Sequence, residues 1–80
     1  MLNKNAETLI LNLHGLSCPQ PVLHSKRALR KLVKGTIIRI ECTDPLTERD
    51  IPNMTKFLGH KMLDKGIDNI IFWYLIEIRD

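Results

Sequence analysis

Two stretches of the chain alternate between apolar and polar residues, as strands do when they bury one face. They cover residues 7–13 and 36–42. Their core-facing sets are Leu9, Leu11 and Leu13 in the first stretch and Ile38, Ile40 and Cys42 in the second. The alternation therefore predicts two amphipathic strands, with Cys42 as a core residue.

A third stretch, residues 69–79, is rich in the β-branched and aromatic residues that favour strands. One face carries Ile70, Phe72, Tyr74, Ile76 and Ile78. The other face carries Ile71, Trp73 and Leu75. Residues 60–65 can pair with this strand through a turn at residues 66–69, because a hairpin satisfies both backbones over a short connection.

Residues 19–34 have the spacing of an amphipathic helix with a broad basic side. Its apolar stripe consists of Val22, Leu29, Leu32 and Val33. We expect Gly35 to end this helix, because glycine readily adopts the left-handed backbone found after helix C-termini. The pattern therefore predicts a helix of about four turns between the first two strands.

A second, shorter helix is predicted after the turn at residues 43–45. Residues 47–50 resemble a capping box, but a helix beginning there would hold Pro52 too far inside. We therefore expect the helix to begin near Asp50, with Pro52 in its first turn, and to end at Gly59. Its apolar face consists of Ile51, Met54, Phe57 and Leu58.

The element order is then βαβαββ. Strand–helix–strand crossovers are right-handed in nearly all proteins, so both helices should pack on the same face of one sheet. This predicts an α/β (α+β) fold, a two-layer sandwich in which two helices cover one face of a four-stranded mixed sheet. Residues 1–80 suffice for one small domain and are expected to form it. Ile71, Trp73 and Leu75 would then be either a contact surface for another protein or a face half-covered by neighbouring strands.

Composition and charge exclude several classes of protein. No apolar run approaches the roughly 18 residues of a membrane span, and the N-terminus lacks the apolar core of a signal peptide, so we expect a cytoplasmic protein. The net charge of +3 permits an acidic partner but is weaker than usual for nucleic-acid binding. The cysteines and histidines have no zinc-ligand spacing, so a metal site is not expected. No cofactor is expected either.

Cys18 lies directly before two prolines that suit the first turn of a helix. If Pro19 and Pro21 are the first and third helical residues, Cys18 is the N-cap, and the N–H groups of Gln20 and Val22 are free near its sulfur. The positive end of the helix dipole favours an anion there, so we expect a lowered pKa of Cys18 and an abundant thiolate. The alternative is a small buried cysteine at a helix cap.

Two longer motifs carry a family resemblance. Residues 15–22 read GLSCPQPV and residues 44–52 read DPLTERDIP, followed by Phe57, His60 and the YLI of residues 74–76. With these features the chain resembles the TusA (SirA-like) family of small sulfur-carrier proteins over nearly its whole length. The CPxP element marks the wider superfamily, whereas the second motif is closer to the TusA branch.

The resemblance implies that Cys18 accepts a sulfane sulfur as a persulfide from a pyridoxal-phosphate cysteine desulfurase. A downstream sulfur-relay protein complex would be the acceptor, on a route toward 2-thiouridine at the wobble position of transfer RNA. Pro19, Gln20 and Pro21 would support the persulfide site. The family often has an acidic residue where Asn12 stands and a Glu where Gln20 stands, so the pKa or partner preference of Cys18 could differ here.

Several charged residues are candidates for partner binding. Arg27, Arg30 and Lys31 could steer Cys18 toward acidic patches on the donor or acceptor, or they simply form a solvated helix face. Asp44 and Arg49 belong to the family motif and are further candidates. Arg49 and Asp50 could instead fix the second helix through a cap and a local ion pair.

Two other functions stay open on the sequence. An RNA-binding module could stack bases on strand aromatics, but the aromatics are few and interleaved with Ile and Leu, so no stable nucleic-acid binding is expected. A regulatory adaptor would use the same surface without transferring sulfur. His60 could assist thiol chemistry, although a structural role at the junction after the second helix is the simpler interpretation.

Overall fold

The computed structural model describes residues 8–79, which form two helices and four strands. In chain order these are β1 Leu9–Leu13, α1 Gln20–Leu29, β2 Ile37–Cys42, α2 Thr47–Leu58, β3 Lys61–Asp68 and β4 Ile71–Glu77. The sheet order is β1-β2-β4-β3, with β1 and β2 parallel and the other pairs antiparallel. The predicted fold class is confirmed. Glu7, the start of the predicted first strand, and the N-terminal segment considered for a signal peptide lie outside the described residues.

The hydrophobic core lies between the helices and one face of the sheet. The sheet contributes Leu13, Ile38, Ile40, Cys42, Tyr74, Ile76 and the following Ile78, and the helices contribute Leu29, Ile51 and Met54. Full burial of each leucine, isoleucine or methionine among them stabilises the fold by about 1.5–3 kcal/mol. The predicted alternation is therefore confirmed in β2 and β4, including Cys42 as a core residue. In β1 it is confirmed for Leu11 and Leu13 but not for Leu9, which is 44% exposed. Ile70 is an exception, because it lies in the β3–β4 turn and is exposed.

Helix α1 is shorter than predicted and ends at Leu29 rather than Lys34. The chain continues as a tight turn in which Lys31 donates to the Ala28 carbonyl and Leu32 to the Leu29 carbonyl. Gly35 then donates its N–H to the Ile78 carbonyl at 2.7 Å, which requires the backbone to have left the helix by that point.

Helix α2 begins at Thr47, three residues before the predicted start. Asp44 sets this start, because its Oδ1 accepts the Leu46 N–H and its carbonyl accepts both the N–H and the hydroxyl of Thr47. Pro52 lies inside the helix and leaves the Glu48 carbonyl without its intrahelical donor. Because Glu48 is exposed, water can replace that donor. Gly59 ends the helix with a left-handed φ of 84°, as predicted.

The β3–β4 hairpin turns later than predicted, at Asn69 and Ile70 instead of residues 66–69. Asn69 adopts a positive φ of 64°, which asparagine tolerates better than most residues. Gly66 belongs to β3 and pairs with Trp73 of β4. A Cβ on Gly66 would lie 2.7 Å from Cζ2 of Trp73, so this glycine makes room for the indole ring rather than for a turn.

The second face of the sheet is uncovered by helices and only partly apolar. Ile71, Trp73 and Leu75 are half-buried there. The Arg39 guanidinium lies 4.7 Å from the centre of the Trp73 ring, and Arg39 also donates to Glu41 at 2.8 Å. Arg39 thus covers part of Trp73, and the half-buried state of all three residues agrees with the alternative in which neighbouring strands half-cover this face.

Candidate functional site

Cys18 lies in the loop between β1 and α1, close to the N-termini of both helices, and it is exposed. It is not the N-cap. Pro19 occupies that position after a cis Cys18–Pro19 bond, and the Gln20 N–H donates to the Ser17 carbonyl at 2.9 Å instead of remaining free. The predicted N-cap position of Cys18 and the predicted free N–H of Gln20 are therefore wrong.

Asp44 holds the backbone of this loop. Its Oδ2 accepts the Cys18 N–H at 2.8 Å, while its Oδ1 accepts the Leu46 N–H at 3.0 Å. These two hydrogen bonds keep the pKa of Asp44 below its usual range. A single carboxylate thus ties the Cys18 loop to the start of α2, in addition to any role in partner binding.

Asp50 contacts the sulfur itself. The Cys18 thiol donates to Oδ2 of Asp50 across 3.5 Å, and Arg49 donates from Nε to Oδ1 at 3.1 Å. Loss of hydration around the sulfur raises the pKa of Cys18, and the hydrogen bond and charge of Asp50 raise it further. Asp44 adds to this increase, whereas Arg49 opposes it. The prediction of a lowered pKa is wrong, because carboxylates rather than free N–H groups face the sulfur.

An open groove of about 450 Å³ begins at Cys18 and runs between the two helices. Helix α1 lines it with Val22 and Lys26, and helix α2 lines it with Asn53, Met54 and Phe57. Phe57 is 83% exposed, so its predicted place in the core is wrong. The groove therefore gives the sulfur an apolar floor, with Lys26 as a cation from α1.

A buried hydrogen-bonded pair anchors the site to the core. Thr47 Oγ1 and the Tyr74 hydroxyl are 2.9 Å apart, and Thr47 also donates to the Asp44 carbonyl. Burial raises the pKa of Tyr74 to about 12. Cys42 is fully buried nearby, and burial raises its pKa to about 11, which leaves it a poor nucleophile at neutral pH.

The candidate partner-binding residues lie at different distances from the groove. Arg27 shares a shallow pocket with Gln20 at the beginning of α1, and Lys31 is exposed in the turn after that helix. Arg30 lines a separate pocket near the end of α1. The Arg49 side chain is 70% exposed and pairs with Asp50, so it stabilises the carboxylate that contacts Cys18.

The two prolines of the CPxP element differ in environment. Pro21 lies in the first turn of α1 and is buried, whereas Pro19 is exposed and lines the groove beside Cys18. His60 lies elsewhere: its Nδ1 accepts the Arg79 N–H at 3.1 Å, and its own N–H donates to the Thr55 carbonyl. His60 does not line the groove, which favours its structural interpretation.

Sequence reasoning missed Asp50 as the contact of the sulfur, and it missed Lys26 and Asn53 as residues that line the same groove. Asp50 was visible within the DPLTERDIP motif, but its contact with Cys18 joins residues 32 positions apart. Lys26 follows Cys18 by two helical turns, and this spacing was the available signal for its position.

Residues 8–79 contain neither a cluster of metal ligands nor a membrane-spanning helix. No three His, Cys, Asp or Glu side chains there are grouped as metal ligands. Neither of the two helices in that part of the chain combines the length and apolar character that crossing a membrane requires.

The chain is similar to known sulfur carriers over most of its length. A family model described as sulfurtransferase TusA matches residues 9–78. Proteins named sulfur carrier protein TusA from Pseudomonas putida strains F1 and KT2440 are each 42% identical over 68 residues, which cover 85% of this chain and 85% of each relative. A relative from strain GB-1 with the same name is 40% identical over 68 residues.

The fold is shared with a solved structure. The crystal structure of a SirA-like protein from Desulfitobacterium hafniense superposes with a TM-score of 0.77 at 20% identity, covering 90% of this chain and 99% of that one. Because the family model and the curated relatives both span most of the sequence, the chain belongs to the TusA family of sulfur carrier proteins.

Proposed function

We propose that Cys18 carries the sulfur, accepting it as a persulfide from a cysteine desulfurase and passing it to a downstream sulfur-relay protein complex. The observation that supports this role is the exposed Cys18 thiol at the mouth of an open groove, on a loop that Asp44 fixes by a 2.8 Å hydrogen bond. The other cysteine, Cys42, is buried and cannot meet a partner's active site.

The loading step is a thiol exchange without net oxidation. Cys18 loses its proton, and its thiolate attacks the outer sulfur of the donor's cysteine persulfide. A new bond forms between Sγ of Cys18 and that sulfur while the donor's sulfur–sulfur bond breaks. The donor's cysteine leaves as a thiolate and takes up a proton, so Cys18 becomes the persulfide and the donor returns to a thiol.

The residues around Cys18 support this step in different ways. Pro21 packs the beginning of α1 into the core, and Pro19 lines the groove where a partner would approach. Gln20 is exposed beside them and can contact a docked protein. The pyridoxal phosphate of a desulfurase belongs to the donor, so the carrier itself uses no cofactor.

The sulfur carried by Cys18 is destined for transfer RNA. Similarity to sulfur carriers of the TusA family supports a relay through an acceptor complex toward 2-thiouridine at the wobble position of transfer RNA. Such a relay places residues 1–80 in the cytoplasm as a single carrier domain that meets transfer RNA through its partners. Arg27, Arg30, Lys31, Asp44 and Arg49 are the residues proposed to contact these partners.

Intact-mass spectrometry of protein incubated with a cysteine desulfurase and cysteine, without reductant, tests the role of Cys18. We expect wild type to gain one sulfur atom and Cys18→Ser to gain none, because the serine hydroxyl cannot form a persulfide. Cys42→Ala is the matched control, since it retains Cys18 and should load like wild type. Circular dichroism of each variant verifies the fold.

Two results would contradict this assignment. Loading of Cys18→Ser with loss of loading in a folded Cys42→Ala variant would move the carrier role to Cys42. Absence of sulfur on folded wild type with an active desulfurase would favour a regulatory adaptor over this relay.

A further inference from the structure

The Cys18 sulfur combines exposure with a fixed anionic neighbour. Its thiol donates to Oδ2 of Asp50 across 3.5 Å. The Asp50 side chain is only 21% exposed, and Arg49 holds its other oxygen at 3.1 Å, so the carboxylate is restrained beside the sulfur. A solvent-accessible thiol in this family member is therefore paired with an acceptor of its proton.

The charged residues of the groove and the Cys18 loop come from α1, from α2 and from the turn before α2. Asp50 and Arg49 belong to α2, Asp44 precedes α2, and Lys26 lines the groove from α1. The two carboxylates disfavour a negative charge on the sulfur, and Arg49 offsets only part of their effect. In the free carrier, these charges together favour the protonated thiol form of Cys18.

We propose that Asp50 is a specificity-determining residue, because its carboxylate holds Cys18 in the thiol form while the carrier is free and so slows reactions of the exposed sulfur in solution. The inference rests on the proposed carrier role of Cys18. Thiols are poor nucleophiles compared with thiolates, so disulfides and electrophiles in solution react slowly with Cys18.

A docked sulfur donor differs from these small reagents. Covering the groove excludes water, which by itself disfavours the thiolate further, so deprotonation in the complex requires a cationic group of the donor that neutralises Asp50. Asp50 therefore acts mainly on reactions that occur without docking, and it separates the intended donor from other sulfur compounds.

The first test measures the reactivity of the free carrier. Asp50→Asn preserves size and removes the charge, so the pH midpoint of iodoacetamide alkylation should move to lower pH. Alkylation at pH 7 should be faster by at least about threefold, because the rate follows the thiolate fraction. Reaction with glutathione disulfide, in which one glutathione joins Cys18 and the other leaves as a thiolate, should accelerate similarly.

Glu48→Gln is the matched control, because it removes one carboxylate from the exposed surface of the same helix. Its alkylation profile should superimpose on that of wild type. Asp50→Ala is a second test variant, and thermal unfolding verifies that both Asp50 variants are folded. An Asp50→Asn profile that superimposes on wild type would overturn the inference.

The second test compares solution chemistry with transfer in a complex. In single-turnover loading from a cysteine desulfurase, Asp50→Asn should change the rate by a smaller factor than it changes alkylation. An equal acceleration of both reactions would refute the specificity role. If wild type takes no sulfur from the desulfurase, the proposed function fails, while the alkylation and disulfide rates still decide whether Asp50 restrains Cys18.

Discussion

At the scale of single residues, hydroxyl groups in this small core have opposite environments. Thr47 is fully satisfied, since its oxygen contacts both the Tyr74 hydroxyl and the Asp44 carbonyl. Thr55 donates to the Ile51 carbonyl one turn earlier in α2. Ser25 in α1 is equally buried, but its Oγ has no hydrogen-bond partner among the described residues. An unpaired buried hydroxyl costs stability that a paired one does not.

Replacing Ser25 with alanine should therefore leave the free energy of unfolding unchanged or raise it by up to about 1 kcal/mol. The alanine removes the unpaired hydroxyl and also favours the helix. Urea denaturation of Ser25→Ala and wild type measures the difference. Thr47→Val provides the contrast, because it deprives Tyr74 of its partner and should lower stability by about 1–3 kcal/mol. A loss of more than 1 kcal/mol in Ser25→Ala would mean that its hydroxyl is satisfied in solution.

At the scale of secondary structure, the β3–β4 hairpin depends on a residue without a side chain. Gly66 lies opposite Trp73, and the Trp73 ring occupies the space that a Cβ would need. The same ring carries the Arg39 guanidinium on its surface. The Trp73 ring thus contacts Gly66 of β3 and the Arg39 guanidinium of β2 on the open face of the sheet.

Gly66→Ala should destabilise the protein by about 1–3 kcal/mol, because the ring must move to admit a methyl group. Displacement of the ring should also change the fluorescence of Trp73, the single tryptophan of the chain. Equilibrium denaturation followed by that fluorescence measures both effects. Lys65→Ala, at an exposed neighbouring position of β3, should have little effect. Equal stability of Gly66→Ala and wild type would show that the sheet accommodates the methyl group.

The sequence predicted the elements better than their ends. Alternation identified β1, β2 and β4, because burial of one face determines which residues those strands contain. The position of Pro52 suggested too late a start for α2, because the hydrogen bonds of Asp44 outweigh the local cost of that proline. Gly66 was predicted to lie in a turn. It lies in β3 instead, because Trp73 of the neighbouring strand packs against Gly66, and local sequence patterns do not contain such cross-strand contacts.

The details of the candidate site also depend on contacts between residues that are distant in sequence. Cys18 was identified from its own neighbours in sequence, and its exposure agrees with a reactive thiol. The direction of its pKa shift was wrong, because Asp44 and Asp50 follow it by 26 and 32 positions. Electrostatic effects on a loop residue depend on the segments that fold beside it, and spacing along one helix does not reveal them.

At the scale of the whole molecule, charge is distributed unevenly around Cys18. Carboxylates lie next to the sulfur, whereas exposed cations of α1 and the following turn lie farther along the surface. A partner with an acidic surface would be attracted to these cations before its active site reaches the groove.

Replacing both Arg27 and Arg30 with glutamate should slow sulfur loading by roughly tenfold at low salt, because long-range attraction becomes repulsion. The difference from wild type should shrink toward 0.5 M salt, where screening shortens the range of the field. A double variant with Lys61→Glu and Lys65→Glu makes the same change of net charge on β3. Equal slowing of both double variants would mean that net charge, rather than the α1 surface, controls the encounter.

The two hydrogen bonds of Asp44 couple the motion of the Cys18 loop to that of α2. One carboxylate closes the Cys18 loop and begins α2, so fraying of that helix would also release the loop. The loop and the helix N-terminus should therefore exchange their amide protons as one cooperative unit, tied through Thr47 and Tyr74 to the slowest-exchanging core. Such a carrier presents the same backbone shape to donor and acceptor, and adaptation between the two encounters falls to exposed side chains such as Phe57.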